Sequence, residues 1–456
     1  MHHMSRSWER SRGRHRPGRR SGPRSLRHRS ITLHRRTLAK LLAVGVVVAA
    51  LAAGGATAFA SDSVRDAIAS NLSGVGKGLG AGSDSPSDGD SSSGDEQADV
   101  PPVLTASPLA GATGVKPRDA VRTTVTSGEL RDVALTNTDG DAVKGELAPD
   151  GRTWSVSEPL GYDATYRWSG SWVRPDGTVT PLTGQFGTVD PARTARASMN
   201  IRDGATVGVG APVIITFDRD LSAKAKADVE RALSVRTSKQ VEGAWAWLPD
   251  TADGSRVHYR PRTYWPANTT VTVDAPLYGL DLGDAGYPAK DLSSTFTVGR
   301  SQIVKADAQS HQLVVVRDGK TVSTYDASYG KESDPRRVTR SGTHVVMSKS
   351  QKVLMTNRDY GYVDLPQYWA VRISNNGEFI HANPASTSSQ GNSNVTHGCV
   401  NLSTKNARAY FDTAIFGDPV EVTGTTEKLS AADGDIYDWA ITWADWKSMS
   451  ALARAS

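Results

Sequence analysis

HANPASTSSQGNSNVTHGCVN, residues 381–401, holds the sole cysteine of a 456-residue chain. One cysteine excludes an intramolecular disulfide framework and any multi-cysteine zinc or iron–sulfur site. Cys399 is therefore either a small buried hydrophobe or a nucleophile. A thiol with an unperturbed pKa of about 8.5 is only a few per cent ionised at neutral pH, so a nucleophile here needs a base. Spacing alone allows either neighbouring histidine. His397, two residues away, shares the side of Cys399 in an extended segment, whereas His381 reaches it only if the loop between them folds back. Gly398 permits close backbone approach, and the amides around Gly398 and Cys399 could converge on a developing oxyanion. The Ser/Asn/Gly surroundings offer little apolar cover, which favours the nucleophile.

Upstream, Val371-Arg372-Ile373, Asn376-Gly377 and Phe379-Ile380 spell a hairpin that sets His381 at a strand end. Leu313–Val316, Asp318-Gly319 and Thr321–Tyr325 spell another. Downstream, Ser403 can cap a helix with Ala407, Tyr410, Phe411, Ala414 and Ile415 on one face, ending near Gly417. Residues 300–424 thus read as a mainly β domain with at least one helix.

The same segment resembles the L,D-transpeptidases of the YkuD type, which cross-link bacterial peptidoglycan. Their signature of a histidine, a spacer, Ser/Thr-His-Gly-Cys, an apolar residue and Asn/Arg is met by His381, fourteen residues, Thr396, His397, Gly398, Cys399, Val400 and Asn401. Ser328-Tyr329-Gly330-Lys331 and Thr339-Arg340-Ser341-Gly342 resemble the family's Ser-x-Gly-Lys and Thr-Pro-x-Gly stretches, with Arg340 where proline is usual. The resemblance implies Cys399 as nucleophile, His381 as its base, and the carbonyl of Ala382 orienting the imidazole. It also implies an oxyanion hole from the amides of His397, Gly398 and Cys399, a lid tyrosine (Tyr362, with Tyr360 second), and Asn401 as loop support. No metal or organic cofactor is implied. The expected partners are peptidoglycan stem peptides as acyl donor and acceptor, with carbapenem β-lactams as inhibitors. The alternatives are an inactive peptidoglycan-binding envelope protein, or a cysteine acyltransferase or hydrolase with a different donor. Ser328-x-x-Lys331 also spells the serine motif of penicillin-binding proteins, but no Lys-Thr-Gly accompanies it.

Two β modules precede this domain, about 101–190 and 191–299. Each is built of short Val/Thr/Trp-rich runs between turn residues, the size and pattern of immunoglobulin-like sandwiches, with no long helical period. They read as diverged copies: Gly111-Ala112-Thr113 answers Gly204-Ala205-Thr206, and runs ending at Phe186 and Phe296 close each module. Trp154, Trp168, Trp172, Trp245, Trp247 and Trp265 fit core filling better than a carbohydrate platform. In the tail, 425–456, Trp439, Trp443 and Trp446 fall on one face of a helix, expected to pack back onto the catalytic domain.

The net charge of +5 comes from residues 1–40, which hold twelve arginines and Lys40 against Glu9. Everything after them is net acidic, which argues against nucleic acid as a partner. Residues 41–60 are uncharged and long enough to span a bilayer as a helix. They read as a retained anchor in the cytoplasmic membrane, with Ala58-Phe59-Ala60 a possible signal-peptidase site and Arg35-Arg36 a possible twin-arginine signal. The basic flank would stay inside, placing the rest in the cell envelope. Residues 61–100, rich in Ser, Gly and Asp, read as a flexible linker.

Overall fold

A computed structural model describes residues 102–434 and 436–454. The basic tail, the apolar segment 41–60 and the linker 61–100 lie outside the described residues. Among the described residues no helix is long and apolar enough to cross a membrane.

Two β-sandwiches lead into a third, mixed domain. In the first, the sheet of Leu104–Ser107, Arg122–Val125, Thr153–Val156 and Gly145–Leu147 faces a second sheet centred on Glu129–Asn137 and Thr165–Val173. Trp154, Trp168 and Trp172 are buried between them. The second sandwich pairs Ala197–Met199, Val213–Phe217, Gly254–Pro261 and Gly243–Thr251 in one sheet, and Thr206–Val207, Leu292–Val298, Thr269–Ala275 and Ser234–Thr237 in the other. Trp245, Trp247 and Trp265 are buried there. All six indoles therefore serve as core.

The repeated glycine segment has a structural counterpart in each copy. Gly111 and Gly204 both hold positive φ, 82° and 71°. Their N–H groups donate to the strand that closes each module, to Gln185 O at 2.7 Å and Thr295 O at 2.8 Å. The second sandwich also contains a helix that the sequence pattern did not announce, α1 (Ala223–Ala232). The Ser222 side chain caps its N-terminus, and Ala225, Ala227, Val229 and Glu230 are its buried residues, too few apolar positions to show as a period.

The third domain sets a five-stranded sheet beside a four-stranded one. Its strands are β1 (Gln302–Asp307), β2 (Gln312–Arg317), β3 (Lys320–Asp326), β4 (Gly342–Val345), β5 (Ser348–Asn357), β6 (Tyr362–Arg372), β7 (Phe379–Ala382), β8 (Val400–Leu402) and β9 (Pro419–Thr423). The sheet orders are β3-β2-β1-β9-β4 and β5-β6-β7-β8. Asp318 and Gly319 both take positive φ, as a type I′ hairpin turn requires. Helix α2 (Thr404–Thr413) is capped by Ser403 and buries Ala407, Tyr410 and Phe411. It ends four residues short of Gly417, leaving Ile415 beyond it.

The tail departs from the single helix expected of its tryptophans. A 3-10 turn, Asp438–Ala440, ends at Ile441, and the Thr442 side chain caps a new short helix, α3 (Trp443–Ser448). Nor does this part pack on the third domain alone. Trp446, fully buried, donates from Nε1 to Ala244 O at 2.9 Å on the second sandwich. The guanidinium of Arg260 lies 4.7–5.3 Å from the rings of Trp446, Trp439 and Trp443, a cation between indole faces. The carboxylate of Glu230 on α1 accepts from Ala451 N at 2.7 Å and from Trp247 Nε1 at 3.0 Å. Earlier tail residues do hold the third domain, through Leu429 N to Ser341 O and Ser374 Oγ to Asp433 O. The tail therefore clasps the third domain to the second sandwich.

Candidate active site

The hairpin of β6 and β7, closed at Asn376-Gly377, carries His381 into the middle of the four-stranded sheet. The chain then loops out and returns as β8, parallel to β7, with His381 opposite Asn401. The long spacer between histidine and cysteine is thus the crossover between two adjacent parallel strands, which lie about 4.8 Å apart. Cys399 stands just before β8. Both side chains line one cavity of about 650 Å³, together with Tyr362, Trp369, His397 and Asn401. Trp369 sits at a bulge of β6 with φ 54°, and the bulge turns its ring to the cavity wall.

Three upstream residues fix the returning loop. Ser328 pairs with Asn401 through both backbone bonds, N to O at 3.1 Å and O from N at 2.9 Å. Gly330 runs beside Thr396, and a Cβ there would lie 1.9 Å from Arg337 O, so only glycine fits. Thr339 Oγ1 donates to Gly398 O and accepts from Gly330 N, both at 2.9 Å. Gly398 itself holds φ 108°, a conformation that favours glycine. Ser328 is fully buried with its Oγ donating to Ser393 O at 2.7 Å, which removes it as a serine nucleophile.

His381 is 3 % exposed, and its Nδ1 lies 2.9 Å from Ala382 O. A carbonyl only accepts, so Nδ1 carries the proton and Nε2 keeps its lone pair. Burial pushes this imidazole down to about 4. Enclosure pushes the Cys399 thiol up to about 12; the Phe379 N–H opposes the rise and the Glu378 carboxyl adds to it. The resting pair is therefore a thiol and a neutral imidazole, with the thiol 3.6 Å from Gly377 O. Such a pair can pass a proton from sulfur to nitrogen only as the sulfur attacks.

His397 is exposed and packs against Tyr360, tilted, and Tyr362, edge-on, with ring centroids 4.6 and 5.7 Å away. The Tyr360 hydroxyl is engaged by Asp334 at 3.0 Å. Tyr362 lines the walls on both sides of Cys399 and burial raises its pKa, so it stays a hydroxyl donor. The Gly398 N–H makes a long bond to Thr396 Oγ1, 3.3 Å. Asn401 is buried, with Nδ2 donating to Ser386 Oγ at 3.3 Å.

Several residues that the sequence did not single out complete the site. Arg337 donates to Val395 O and Thr396 O at 2.6 and 3.0 Å. Asn394 accepts from Tyr329 N and donates to Ala308 O, with His311 Nδ1 at 2.9 Å. On the far side of Cys399 a second cavity, about 290 Å³, is lined by Arg336, Arg340, Arg372, Glu378 and Gly398. Among the described residues no cluster of His, Cys, Asp and Glu could hold a metal ion.

A histidine on β7 beside a cysteine just ahead of the parallel strand β8, in a domain that follows two immunoglobulin-like sandwiches, matches known families. The model of the L,D-transpeptidase catalytic domain covers residues 301–422, and that of a bacterial Ig domain covers 112–281, spanning both sandwiches. The chain belongs to the L,D-transpeptidase family and is an enzyme of that class. It is 53 % identical over 351 residues to L,D-transpeptidase 5 of Mycobacterium tuberculosis, covering 77 % of each chain. It is 36 % identical over 361 residues to L,D-transpeptidase 2 of the same species, covering 77 % of this chain and 86 % of the relative. The solved structure of the L,D-transpeptidase LdtMt1 in complex with imipenem is 34 % identical, covers 51 % of this chain and all of its own, and superposes with a TM-score of 0.43.

Proposed function

We propose that this chain forms 3→3 peptidoglycan cross-links through a thioester on Cys399. One observation carries the assignment: the only cysteine and a buried imidazole with a free Nε2 share one cavity. Cys399 attacks the carbonyl of the L-centre of a diamino acid in a tetrapeptide stem, and His381 Nε2 takes the thiol proton. The amides of His397, Gly398 and Cys399, with the Tyr362 hydroxyl, receive the oxyanion, the Gly398 N–H giving up its long bond to Thr396 Oγ1 as it does so. The C–N bond to D-Ala breaks, and His381 returns the proton to the leaving amine. The side-chain amine of a second stem then attacks the thioester, releases the thiol and completes the cross-link. Ala382 holds the tautomer and Asn401 supports the loop.

We propose the cell envelope as its location, with residues 41–60 as a single-pass anchor in the cytoplasmic membrane or a signal cleaved on secretion to the wall, and with the sandwiches as spacers that carry the catalytic domain toward the wall. Carbapenems are expected to acylate the same cysteine, as the imipenem complex of a relative supports. The test is the intact mass of the full chain after incubation with imipenem, beside Cys399→Ala. A single adduct absent from the variant supports the reading; no adduct on folded wild type favours the inactive wall-binding alternative.

A further inference from the structure

Arg340 stands where the family's Thr-Pro-x-Gly stretch has proline, and its backbone N–H, which proline lacks, donates to Glu378 Oε1 at 2.9 Å. Glu378 is 3 % exposed, and its Oε2 has no hydrogen-bond partner among the described residues. The side chain lies beneath the turn that presents the nucleophile. A Cβ on Gly398 would stand 3.8 Å from Glu378 Cγ, and Glu378 shares the smaller cavity with Cys399.

Charged and titratable groups face this carboxyl from every element packed on it. Arg340, ahead of β4, places Nε 3.1 Å from Asp433 Oδ1 of the tail. His344 of β4 is fully buried, with Nδ1 3.8 Å from Glu378 Oε2 and Nε2 2.8 Å from Arg340 O. Arg372 of β6 lies over the ring of Phe379 at 4.3 Å. Arg336, Tyr362, His397 and Cys399 line the cavity that Glu378 shares. Burial pushes Glu378 up to about 7 and pushes His344 down, so burial favours the neutral form of each.

We propose that Glu378, held by the Arg340 N–H, is a positioning residue whose proton governs the nucleophile: protonated it is a neutral prop beneath Gly398, and ionised it sets a second negative charge beside Cys399 and opposes the thiolate. A like charge in a poorly solvated site disfavours ionisation of its neighbour. Arg340 and Glu378 thus form a matched pair, since proline at 340 would leave Glu378 Oε1 without its donor.

The inference rests on Cys399 as nucleophile, so the test separates thiolate formation from acyl transfer. The rate of alkylation of the full chain by iodoacetamide is followed by intact mass from pH 5.5 to 9.5, with imipenem acylation in parallel. The chain's single cysteine makes the adduct unambiguous. Glu378→Gln keeps an oxygen for the Arg340 N–H but cannot ionise. In wild type the rate rises less steeply above pH 7 than below it. In Glu378→Gln this break disappears, and the ratio of variant to wild-type rate grows about three- to tenfold between pH 5.5 and 8.5. Asp433→Asn removes a like charge that faces Glu378, moves the break to lower pH, and serves if Glu378→Gln does not fold. Profiles that stay parallel to wild type at every pH overturn the proposal. A break in alkylation without any imipenem adduct keeps the role of Glu378 and overturns acyl transfer instead.

Discussion

The Nδ1–H of His381 is bound by the carbonyl of the next residue, Ala382, at 2.9 Å. Burial pushes the imidazole pKa down to about 4, and the hydrogen bond to the Ala382 carbonyl, which favours the protonated ring, opposes that shift only in part. The base therefore stays neutral and competent far below the ordinary histidine range.

The pH dependence of acylation follows from that. The rate constant for imipenem should keep its base-dependent component down to about pH 5 and lose it as His381 takes a proton near 4. Stopped-flow acylation from pH 3.5 to 7 checks this. An acid limb near 6.5 would belong to a solvated imidazole and contradict the role of His381.

Thr339 joins two motif segments through one hydroxyl, accepting from Gly330 and donating to Gly398 O. Thr339→Val leaves a buried donor and a buried acceptor unpaired, which costs about 1–3 kcal/mol. Thermal unfolding should show that loss, and acylation should fall further than the stability change accounts for, because the Gly398 turn loses its tether.

At Gly398 the difficulty for any side chain is the backbone, not the space. A Cβ would meet nothing nearer than Arg337 O at 3.7 Å, but φ is 108°. Gly398→Ala should cost about 1–3 kcal/mol in strain and, if the turn relaxes, misplace the nucleophile enough to lower acylation about 100-fold. Intact-mass kinetics on folded variant read the second effect.

Glu378 also sets a pH dependence of stability. Its folded pKa is raised to about 7 from an ordinary 4.5, so the protonated form is favoured by folding. That contribution is whole below about pH 4.5 and is lost as pH rises through about 7, up to about 3 kcal/mol. Wild type should lose Tm between pH 5 and 8.5 by more than Glu378→Gln does.

The tail makes a mechanical prediction. Trp446→Ala removes a fully buried indole and one of three rings around Arg260, a change of about 3–5 kcal/mol. Calorimetry should show the catalytic domain and second sandwich unfolding in one transition in wild type and in two in the variant.

Local chemistry made much of this fold legible. Asp318-Gly319 and Asn376-Gly377 announced their hairpins because such turns need positive φ, and Gly377 and Gly319 supply it at 105° and 79°. The repeat of Gly111 at Gly204 was visible because each glycine meets a closing strand. The site was read through the spacing of His381 and Thr396–Asn401, which one parallel strand pair explains. Long-range pairing was not legible. Helical spacing put three tryptophans on one face, but Thr442 starts a new helix, and the cation they surround lies on a different domain. Nothing in the sequence marked Glu378, because its hydrogen bond comes from the backbone of Arg340, thirty-eight residues away.

The most direct test of the central claim is a single turnover with a tetrapeptide stem ending in D-Ala, followed by intact mass of the full chain. We expect an adduct equal to the stem less D-Ala, on Cys399 and absent from Cys399→Ala, which disappears as cross-linked dimer forms when a second stem with a free side-chain amine is added. D-Ala release without a Cys399 adduct at any time, or an adduct that persists in Cys399→Ala, would contradict it.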